Sequence, residues 1–515
     1  MKKYIYWILL GLALFGLADA AYLTYEHYAD FIPPCGTNLW FVDCGRVLRS
    51  QYSLIFGVPL ALIGLIHYSL LTVSVTRVIL SRQKVFKYLV VILTVIGAFA
   101  SGYFMYLQFI VIKSLCLYCT ASAIISFALF TLMLFYLRKE RIRTLTFFHG
   151  LGYRNIVKPV LFLINPEIIH TVMVSLGAKL GTIRPIKQLL SFLLVFVDDK
   201  LQTRVEGIRF KNPVGLSAGF DYDAKLTQIL PSLNFGFETI GTVTNHAYEG
   251  NPPPMLGRLP KSRSLMVNKG FKSEGAEKII ERLEGLKFEI PIGISIGRTN
   301  SRNLTTQEGS VKDIVKTFRQ FEKSKVKHTH YELNISCPNL YGNITFYPPK
   351  NLRKLLDALA KVRMKRPVFI KMPIEKSNRE FLNMLRVIEK YKFVKGLTIG
   401  NLQKNRKDPS LNKQEVRKFK VGNFSGKPCE QRSNELIKLA YKKYAKRFTI
   451  IGVGGIFSAE DAYKKIRLGA SLVALITGMI YQGPSLITEI NLGLLELMEK
   501  DRFNHISKVV GIDVS

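Results

Sequence analysis

Two cysteines three positions apart are the residues best suited to chemistry in the first part of the sequence. Cys116 and Cys119 form a Cys-Leu-Tyr-Cys motif, and Cys35 and Cys44 precede it. Thiols at this spacing can close a small, reducible disulfide whose first sulfur is accessible for exchange. Zinc binding and inert packing are the alternatives, but no histidine cluster or second CxxC motif is nearby. The motif therefore predicts redox exchange and no metal site.

A second set of candidate residues ends short apolar runs in the C-terminal part. Cys337 lies between Ser336 and Pro338, and Lys371 and Asn401 end two later runs. A cysteine in this position is expected to act as a general base, although a lone cysteine is more often an inert buried thiol. Lys371 would stabilise negative charge on a neighbouring cofactor ring, or would form only a salt bridge.

Glycines end the last two apolar runs, at Gly454-Gly455 and at Thr477-Gly478. Any one of them is more often a turn residue than a ligand contact. Their coincidence at two neighbouring strand ends favours a phosphate that backbone N–H groups hold. The sequence therefore predicts a phosphate-bearing cofactor.

The elements that must position these residues are eight short runs rich in β-branched residues, separated by helical, charge-rich segments. The runs are Pro213 to Gly219, Phe237 to Thr244, Pro291 to Arg298, Tyr331 to Ser336, Pro367 to Pro373, Gly396 to Asn401, Phe448 to Gly455 and Leu472 to Gly478. Eight strands alternating with helices over about 300 residues predict an α/β fold of the (β/α)8 barrel type. In that fold the chemistry occurs at the C-terminal strand ends.

Four apolar stretches precede the barrel, and each is long enough to cross a membrane. They run from Tyr4 to Tyr25, interrupted only by Asp19, from Ser50 to Thr76, from Tyr88 to Ile112 and from Ser114 to Leu137. They predict an N-terminal four-helix transmembrane bundle. The basic residues that flank them belong on the cytoplasmic face by the positive-inside rule, which puts the four early cysteines on the exoplasmic side. These residues are Lys2, Lys3, Arg77, Arg82, Lys84, Lys87, Arg138, Lys139, Arg141 and Arg143.

Composition narrows the class of protein. The chain has 515 residues, 73 basic and 37 acidic side chains and a formal net charge of +36. This length predicts at least two domains, and the composition excludes collagen-like, disordered and disulfide-scaffold proteins. The basic residues are dispersed over helices without an aromatic platform, so the charge indicates anionic lipid as a partner and no nucleic acid.

The connection between bundle and barrel contains apolar segments that are too short to span a membrane, including Val160 to Ile164 and Phe192 to Val197. Such helices can be ordinary cover, or can form a mouth for a lipid-soluble substrate. The sequence thus predicts a transmembrane domain at 1–143, a linker with apolar helices at 144–200 and a barrel domain at 201–515.

The first region resembles the bacterial vitamin K epoxide reductase family over roughly residues 1 to 140. The resemblance rests on the loop cysteines, on Val47, Ser50, Ser53, Phe56-Gly57-Val58-Pro59 and Gly64, and on the later CxxC motif. It implies that a membrane quinone takes electrons from the CxxC pair. Cys119 would then face the quinone, Cys116 would exchange with Cys44, and Cys35 would meet a separate thioredoxin-like exoplasmic protein. Ser50 would hydrogen-bond a quinone carbonyl, or would only cap a helix.

Residues 155 to 515 resemble dihydroorotate dehydrogenase. The matching motifs are Asn212-Pro213, Ser217 to Asp221, Gly241 to Thr244, Gly250 to Pro252, Asn334 to Asn339, Ser425 to Pro428 and Ile451 to Gly455. Leu161-Phe162, Asn165-Pro166-Glu167 and His170 resemble the apolar helical segment through which quinone reaches the membrane-bound class. The second reading of the connection, a mouth for a lipid-soluble substrate, is therefore favoured.

This resemblance implies an FMN enzyme that oxidises dihydroorotate to orotate and passes electrons to quinone. Cys337 would be the base, and Asn268, Asn334, Asn339 and Asn401 would hold the pyrimidine. FMN would contact Ala218, Gly219, Thr242, Asn334, Lys371, Gly426, Gly455, Ile476 and Thr477. His170 and Arg258 would border the quinone path.

Four positions depart from the quinone-using class. That class normally has serine at the position of Cys337, lysine at Tyr222, asparagine at Ser295 and threonine at Leu402. Two alternatives therefore accompany the main hypothesis of a bifunctional quinone-linked enzyme at a bacterial inner membrane. The barrel would act on a related substrate, or it would be a degenerate anchor for the thiol oxidase.

Overall fold

The computed structural model describes residues 2–29, 31, 35, 41–81, 83–342 and 344–514, and the chain forms two compact units, Met1–Thr144 and Leu145–Ser515. Several basic residues used for the membrane orientation lie outside the described residues: Arg82 as a whole, and the side chains of Lys2, Lys3, Lys84, Arg138 and Lys139. The sidedness deduced from them stays a prediction.

The first unit contains four helices that are long and apolar enough to cross a membrane. They are Lys2–Tyr28, Leu60–Ser81, Lys84–Tyr106 with its π-helical continuation Leu107–Ile112, and Leu117–Gly152. Small residues let the first two helices approach each other, since a Cβ at Gly64 would lie 3.7 Å from that of Ala20. Leu9, Leu71 and Val90 are fully buried between the helices. The predicted transmembrane bundle is confirmed.

The second membrane helix begins at Leu60, so the prediction that this span starts at Ser50 is wrong. A 3-10 turn, Gln51–Ser53, and a hairpin that pairs Leu54–Ile55 with Val58–Pro59 occupy the preceding residues. Phe56 and Gly57 form the hairpin turn with φ of 52° and 81°. Residues with positive φ cannot continue an α-helix, so a helix cannot run through Phe56 and Gly57. Pro59 stands directly before Leu60, where the second membrane helix begins.

The second unit opens with short helices whose apolar faces are exposed. After a π-helical turn, Tyr153–Val157, come Lys158–Leu163, Pro166–Thr182 and Arg184–Leu194. Leu163 is 88% exposed, and Ile168, Val172 and Phe192 are exposed as well. These helices have 6, 17 and 11 residues. By length and composition, however, the helices Glu140–Leu163 and Pro166–Thr182 together would count as one broken span, with a bend of 120° between them.

A closed barrel of eight parallel strands follows, and all eight predicted strands are confirmed. The barrel strands are β1 Val214–Leu216, β2 Phe237–Val243, β3 Ile292–Ile296, β4 His330–Asn334, β5 Val368–Met372, β6 Val394–Ile399, β7 Thr449–Val453 and β8 Leu472–Leu475. Each pairs with the next, and β8 pairs with β1. The register sets Asn334 opposite Lys371, which puts two candidate side chains at the same level.

Helices on the outside bury one face against the strands. They are Ala276–Leu283, Gln307–Lys323, Pro349–Ala360, Asn378–Ile388, Lys413–Arg417, Glu430–Tyr444, Ala459–Arg467, Thr477–Gln482 and Leu486–Lys500. In Asn378–Ile388, for example, Ser377 and Glu380 form a capping box, and Phe381, Leu385 and Ile388 are buried. That spacing is the apolar stripe of a surface helix.

Two smaller sheets complete the unit. A hairpin, Thr203–Val205 with Ile208–Phe210, precedes the barrel. A three-stranded antiparallel sheet of Leu256–Leu259, Ser264–Val267 and Asn423–Phe424 joins loops that follow β2 and β6. This sheet brings Asn268 and Gly426, which stand just beyond its strands, into the region of the strand ends.

Candidate functional site

The four N-terminal cysteines come together in the first unit. Cys44 and Cys116 are buried in one cluster, and Cys35 and Cys119 pack against it. Cys35 and Cys44 form a disulfide, whereas Cys116 and Cys119 are free thiols. The backbone N–H of Cys119 donates a hydrogen bond to the Cys116 sulfur at 3.4 Å. Both cysteine pairs are therefore placed for exchange within a single cluster.

Backbone pairing holds the loop against the CxxC motif. Asp43 N–H donates to the Leu115 carbonyl at 3.0 Å, and Leu115 N–H donates to the Phe41 carbonyl at 2.9 Å. The Cys116 N–H donates to the side-chain oxygen of Gln108 at 2.9 Å. The sequence analysis did not select Gln108, although a buried amide in an apolar helix is itself a functional signal.

The exchange of Cys116 with Cys44 stays a prediction, and in this structure Cys116 has no exposed surface. The reason is that the disulfide-bonded loop packs over it. Any exchange between Cys116 and the outside must therefore pass through the loop cysteines.

A cavity of about 650 Å³ lies beside Cys119 and is also lined by Ser50, Asp19 and His67. The Ser50 hydroxyl donates to the Val47 carbonyl at 2.8 Å and makes no capping bond to the following turn. Ser50 was expected either to hydrogen-bond a quinone or to cap a helix. In the structure it lines the cavity and makes no capping bond.

In the barrel, Lys371 lies at the end of β5 and is buried. Its ammonium donates to the Ala218 carbonyl at 3.3 Å and forms an ion pair with Glu332 at 3.8 Å. The cation therefore faces the predicted cofactor position, and the salt bridge considered as its alternative is present too. Glu332 was not selected from the sequence, because its pairing depends on the register of β4 and β5.

A chain of hydrogen bonds continues from Glu332 across the barrel interior. Ser295 donates to Glu332 at 2.8 Å, the Ser295 and Thr242 hydroxyls are 3.1 Å apart, and the Asn334 amide donates to Thr242 at 2.8 Å. These hydrogen bonds fix the side chains of Thr242 and Asn334, and Asn334 lies at the same level of the barrel as Lys371.

Cys337 is half-buried in the loop after β4. Burial raises the pKa of its thiol to about 11, while the backbone amide of Asn339 and the charges of Lys371 and Arg298 favour the thiolate. Lys404 adds a third positive charge, so three cations and one amide favour the thiolate. The alternative considered from the sequence was an inert buried thiol in apolar surroundings. The groups around Cys337 are instead charged and polar.

Asn401 fixes the residue that precedes Cys337. Its amide donates to the Ser336 hydroxyl at 2.6 Å and to the Ser336 carbonyl. The Ser336 N–H and hydroxyl are each 3.3 Å from the Asn334 side-chain oxygen. Asn334 and Asn401 are thus brought together around the Cys337 loop.

Asn268 and Asn339 form a second pair, joined through Asn251. The Asn251 amide donates to Asn268 Oδ1 at 3.1 Å and to the Asn339 carbonyl at 2.9 Å. The Asn339 amide donates to the Val267 carbonyl at 3.0 Å. Asn251 was named in a motif but not selected as a site residue.

A pocket of about 90 Å³ opens at the ends of β1, β5, β6, β7 and β8. The predicted cofactor residues that line it are Ala218, Lys371, Gly426, Gly455, Ile476 and Thr477, and Asn401, Ser425, Gly400, Cys429 and Phe457 line it as well. Gly219, Thr242 and Asn334, the other three predicted cofactor residues, lie outside the pocket lining. Gly219 is bonded by its N–H to the Gly241 carbonyl at 2.8 Å.

The pocket has the donors that a phosphorylated flavin requires. Ser425 and Thr477 hydroxyls lie 2.8 Å apart, Lys371 supplies a cation, and the lining includes no carboxylate. Gly426 has φ of +79°, and a Cβ there would lie 2.8 Å from the Thr477 side chain. These residues therefore fit the phosphate of FMN, which is the part of the cofactor that a pocket of about 90 Å³ can hold.

His170 and Arg258 fasten the short apolar helices to the barrel. His170 Nε2 donates to the Phe220 carbonyl at 2.9 Å, and burial lowers the pKa of His170 to about 4. Arg258 donates to the Phe162 carbonyl at 3.2 Å and the Ile164 carbonyl at 2.5 Å. Both residues therefore lie where these helices meet the mouth of the barrel.

The residue that replaces an expected lysine, Tyr222, has a cation beside it. The Lys269 ammonium lies 5.4 Å from the centre of the Tyr222 ring, and Lys269 is only 7% exposed. Burial lowers the pKa of Lys269 to about 8. Leu402, another departure, donates its N–H to Asn401 Oδ1 at 2.8 Å and so orients that amide.

Within the part of the chain that the structure describes, no three or more His, Cys, Asp or Glu side chains are grouped to hold a metal ion.

Comparisons with known proteins match both units. The family model described as Dihydroorotate dehydrogenase matches residues 200–498, and that of the Vitamin K epoxide reductase family matches residues 7–134. A dihydroorotate dehydrogenase (quinone) of Trichodesmium erythraeum (strain IMS101) is 31% identical over 380 residues, 70% of this chain and 98% of the relative. Another, from Christiangramia forsetii, is 35% identical over 349 residues, 67% of this chain and 99% of the relative.

Solved structures agree in fold. The crystal structure of DHODH from Eimeria tenella in complex with ferulenol has 25% identity and a TM-score of 0.58, covering 68% of this chain and 95% of that one. The ligand-free form has 24% identity and a TM-score of 0.59, covering 68% and 99%. The chain therefore belongs to the dihydroorotate dehydrogenase family through its barrel, to which a domain of the vitamin K epoxide reductase family is fused at the N-terminal side.

Proposed function

We propose that this chain is a membrane flavoenzyme with two quinone-linked activities. Its barrel oxidises dihydroorotate to orotate, a step of pyrimidine biosynthesis, and its first domain oxidises thiols for disulfide formation. One observation carries the proposal: each unit gathers its own reactive groups, Cys337 with Lys371 in the barrel and four cysteines beside a cavity in the bundle.

In the barrel, Cys337 removes the proton from C5 of dihydroorotate. Its thiol is protonated at neutral pH because burial raises its pKa to about 11, and the positive charges of Lys371 and Arg298 keep that pKa from rising further. Asn268, Asn334, Asn339 and Asn401 hold the planar substrate, since side-chain amides can pair with both its carbonyl and its N–H groups. The hydrogen bonds of Asn401 and Asn334 to Ser336 keep the base in place.

FMN, when bound, would supply the hydride acceptor for C6 of the substrate. Its proposed contacts are Ala218, Gly219, Thr242, Asn334, Lys371, Gly426, Gly455, Ile476 and Thr477. Lys371 stabilises negative charge on the flavin ring. Glu332 carries the opposite charge 3.8 Å from the Lys371 ammonium and so offsets part of its effect on the flavin.

A membrane quinone is the final electron acceptor of the barrel. It enters along the helices between 158 and 194, whose exposed apolar side chains suit a lipid-soluble molecule. His170 and Arg258 border this path. His170 is neutral at physiological pH, since its pKa is lowered to about 4.

In the first domain, Cys119 passes electrons to a quinone in the cavity, where Ser50 hydrogen-bonds a quinone carbonyl. Cys116 exchanges with Cys44, and Cys35 meets a separate thioredoxin-like protein. The burial of Cys116 supports this order, because the loop disulfide is its route to an outside thiol.

We place the protein in the bacterial inner (cytoplasmic) membrane, with the barrel on the cytoplasmic side and the loop cysteines and CxxC motif on the exoplasmic side. The excess of basic residues would then face anionic lipid, which attracts about 1 kcal/mol per Lys or Arg near the surface. No role with nucleic acid is proposed.

A second candidate function, oxidation of a related substrate, is favoured by Tyr222, Ser295 and Leu402. Losing a buried cation beside a carboxylate costs on the order of 2 to 5 kcal/mol if nothing replaces it. Although the expected lysine is replaced by Tyr222, Lys269 supplies a buried ammonium beside it. This cation supports an anionic substrate.

Anaerobic titration of the purified protein with dihydroorotate separates these functions. The main proposal predicts that one equivalent bleaches the bound flavin. Bound FMN that dihydroorotate fails to bleach would indicate a different substrate. Protein that retains no FMN after mild extraction would mean that the barrel is a degenerate anchor.

A further inference from the structure

Asp19 is an acidic residue within the first apolar helix, and a carboxylate there is costly unless it is used or paired. It lines the cavity beside Cys119. Its Oδ2 is buried and has no hydrogen-bond partner among the described residues. Such a residue can pair with another side chain within the bundle or can line a polar cavity. In this structure Asp19 lines the cavity.

The Asp19 carboxylate acts on both thiols of the CxxC motif, since its charge interacts with Cys116 and with Cys119. Glu26, two helical turns further on, also lines the cavity, and its Oε2 likewise has no hydrogen-bond partner among the described residues, but it interacts with Tyr22 and not with the sulfurs. His67 approaches the cavity from the second membrane helix, where its ring lies against Gly97. Asp19 is therefore the cavity carboxylate that is coupled to the sulfurs.

We propose that Asp19 carries protons from the CxxC thiols to the quinone, which rests on the thiol oxidation proposed for this domain. Oxidation of two thiols by a quinone breaks two S–H bonds, forms one S–S bond and moves two electrons to the quinone. Two protons must reach the two quinone oxygens to give the quinol. The Asp19 carboxylate takes the Cys119 proton, gives it to a quinone oxygen, and then repeats this with the proton of Cys116.

A buried carboxylate suits this task better than water does. The cavity is lined mostly by apolar side chains, so a charge that forms on sulfur or on the quinone oxygen is poorly solvated. An acid that lines the same cavity as Cys119 can neutralise each charge as it forms. The carboxylate oxygen without a partner is the atom available for this transfer.

The test measures quinol formation by the full-length protein with dithiothreitol as donor and a short-chain ubiquinone as acceptor. Asp19→Asn should lower kcat by about 100-fold or more with KM for the quinone within about threefold, because general acid–base catalysis contributes roughly 100- to 10,000-fold. Asp19→Glu should recover at least about a tenth of the wild-type rate, since it restores a carboxyl group. Glu26→Gln should lower kcat far less than Asp19→Asn does. Thr24→Val, at a buried position on the same helix outside the cavity lining, is the matched control and should stay within about threefold of wild type.

Gel filtration of the Asp19→Asn protein in detergent and retention of its Cys35–Cys44 disulfide report on the folding of the bundle, while bound FMN reports on the barrel. An unchanged kcat in Asp19→Asn, a rise in KM alone, or an equal loss in Glu26→Gln would overturn the inference. A wild-type protein that makes no quinol from dithiothreitol would instead refute the thiol oxidation itself.

Discussion

Cys337 combines a reactive side chain with surroundings that oppose its ionisation. Burial raises the pKa of the thiol to about 11, although three cations and an amide favour the thiolate. A base must be deprotonated to act, so the active fraction grows as pH rises toward that pKa. The direction of the pH dependence therefore follows from the structure.

We expect dihydroorotate-dependent flavin reduction to accelerate from about pH 7 to about pH 10, and Cys337→Ala to slow it on the order of 100- to 10,000-fold. Rapid mixing under anaerobic conditions measures both. Cys337→Ser should show the rise only at higher pH, because a hydroxyl ionises far less readily than a thiol. A rate that does not change with pH, or an alanine variant as fast as wild type, would contradict this function of Cys337.

Lys269 is a second buried residue whose charge affects the protein. Its pKa falls from 10.5 to about 8, so below pH 8 the folded state carries an ammonium that burial disfavours. The penalty is fully present below about pH 8 and disappears as pH rises toward the unfolded value near 10.4.

Lys269→Met should therefore stabilise the protein at pH 7 by roughly 1 to 3 kcal/mol, with a smaller gain at pH 10. Thermal unfolding in detergent at both pH values measures this effect. If Lys269 also contributes the cation of the substrate site, the same variant should bind dihydroorotate more weakly. A variant that is less stable at pH 7 than at pH 10, relative to wild type, would contradict the sign.

At the scale of elements, the loops after the barrel strands decide whether a phosphorylated cofactor can bind. Gly455 has φ of +72°, and a Cβ there would collide with Glu430 at the start of its helix. Gly285 has a similar φ of +79°, but a Cβ there would contact nothing within 4 Å. An alanine would therefore have the same unfavourable positive φ at both positions, but only at Gly455 would it also collide with a neighbouring residue.

Gly455→Ala should weaken FMN binding by about 1 to 3 kcal/mol, roughly 5- to 150-fold, because the loop must move away from the pocket. Gly285→Ala is the matched control and should retain its flavin. Flavin content after gel filtration measures both variants. Equal flavin content in the two alanine variants would show that the loop after β7 does not hold the cofactor.

The elements that the sequence predicts well are those whose pattern is local. All eight barrel strands could be predicted because each short β-branched run ends in a glycine or polar residue. The hairpin at Leu54–Pro59 could not, since its residues are as apolar as the helix that follows. The contacts of Gln108 with Cys116 and of Glu332 with Lys371 join distant parts of the chain, so only the packed structure reveals them.

At the scale of the whole molecule, the proposal assigns the loop cysteines and the barrel to opposite sides of a membrane. Phe56 is fully exposed at the tip of the hairpin after the loop, and Lys500 is exposed on the last long helix of the barrel. A cysteine at either position would report the side on which its unit lies.

We expect a membrane-impermeant maleimide to label Phe56→Cys in intact spheroplasts and to label Lys500→Cys only after lysis. Mass spectrometry of the labelled peptides separates these sites from the native thiols. Labelling of Lys500→Cys in intact cells, or protection of Phe56→Cys until lysis, would reverse the assigned topology.

The central claim is that two separate sites in one chain deliver electrons to quinone. Quinol formation by the purified protein tests it most directly, with dihydroorotate or dithiothreitol as donor, in wild type, Cys119→Ala and Cys337→Ala. The account predicts that Cys119→Ala keeps the dihydroorotate reaction and loses the dithiol reaction, and that Cys337→Ala does the reverse. Loss of both reactions in either folded, flavin-containing variant, or no quinol from dihydroorotate in wild type, would contradict it.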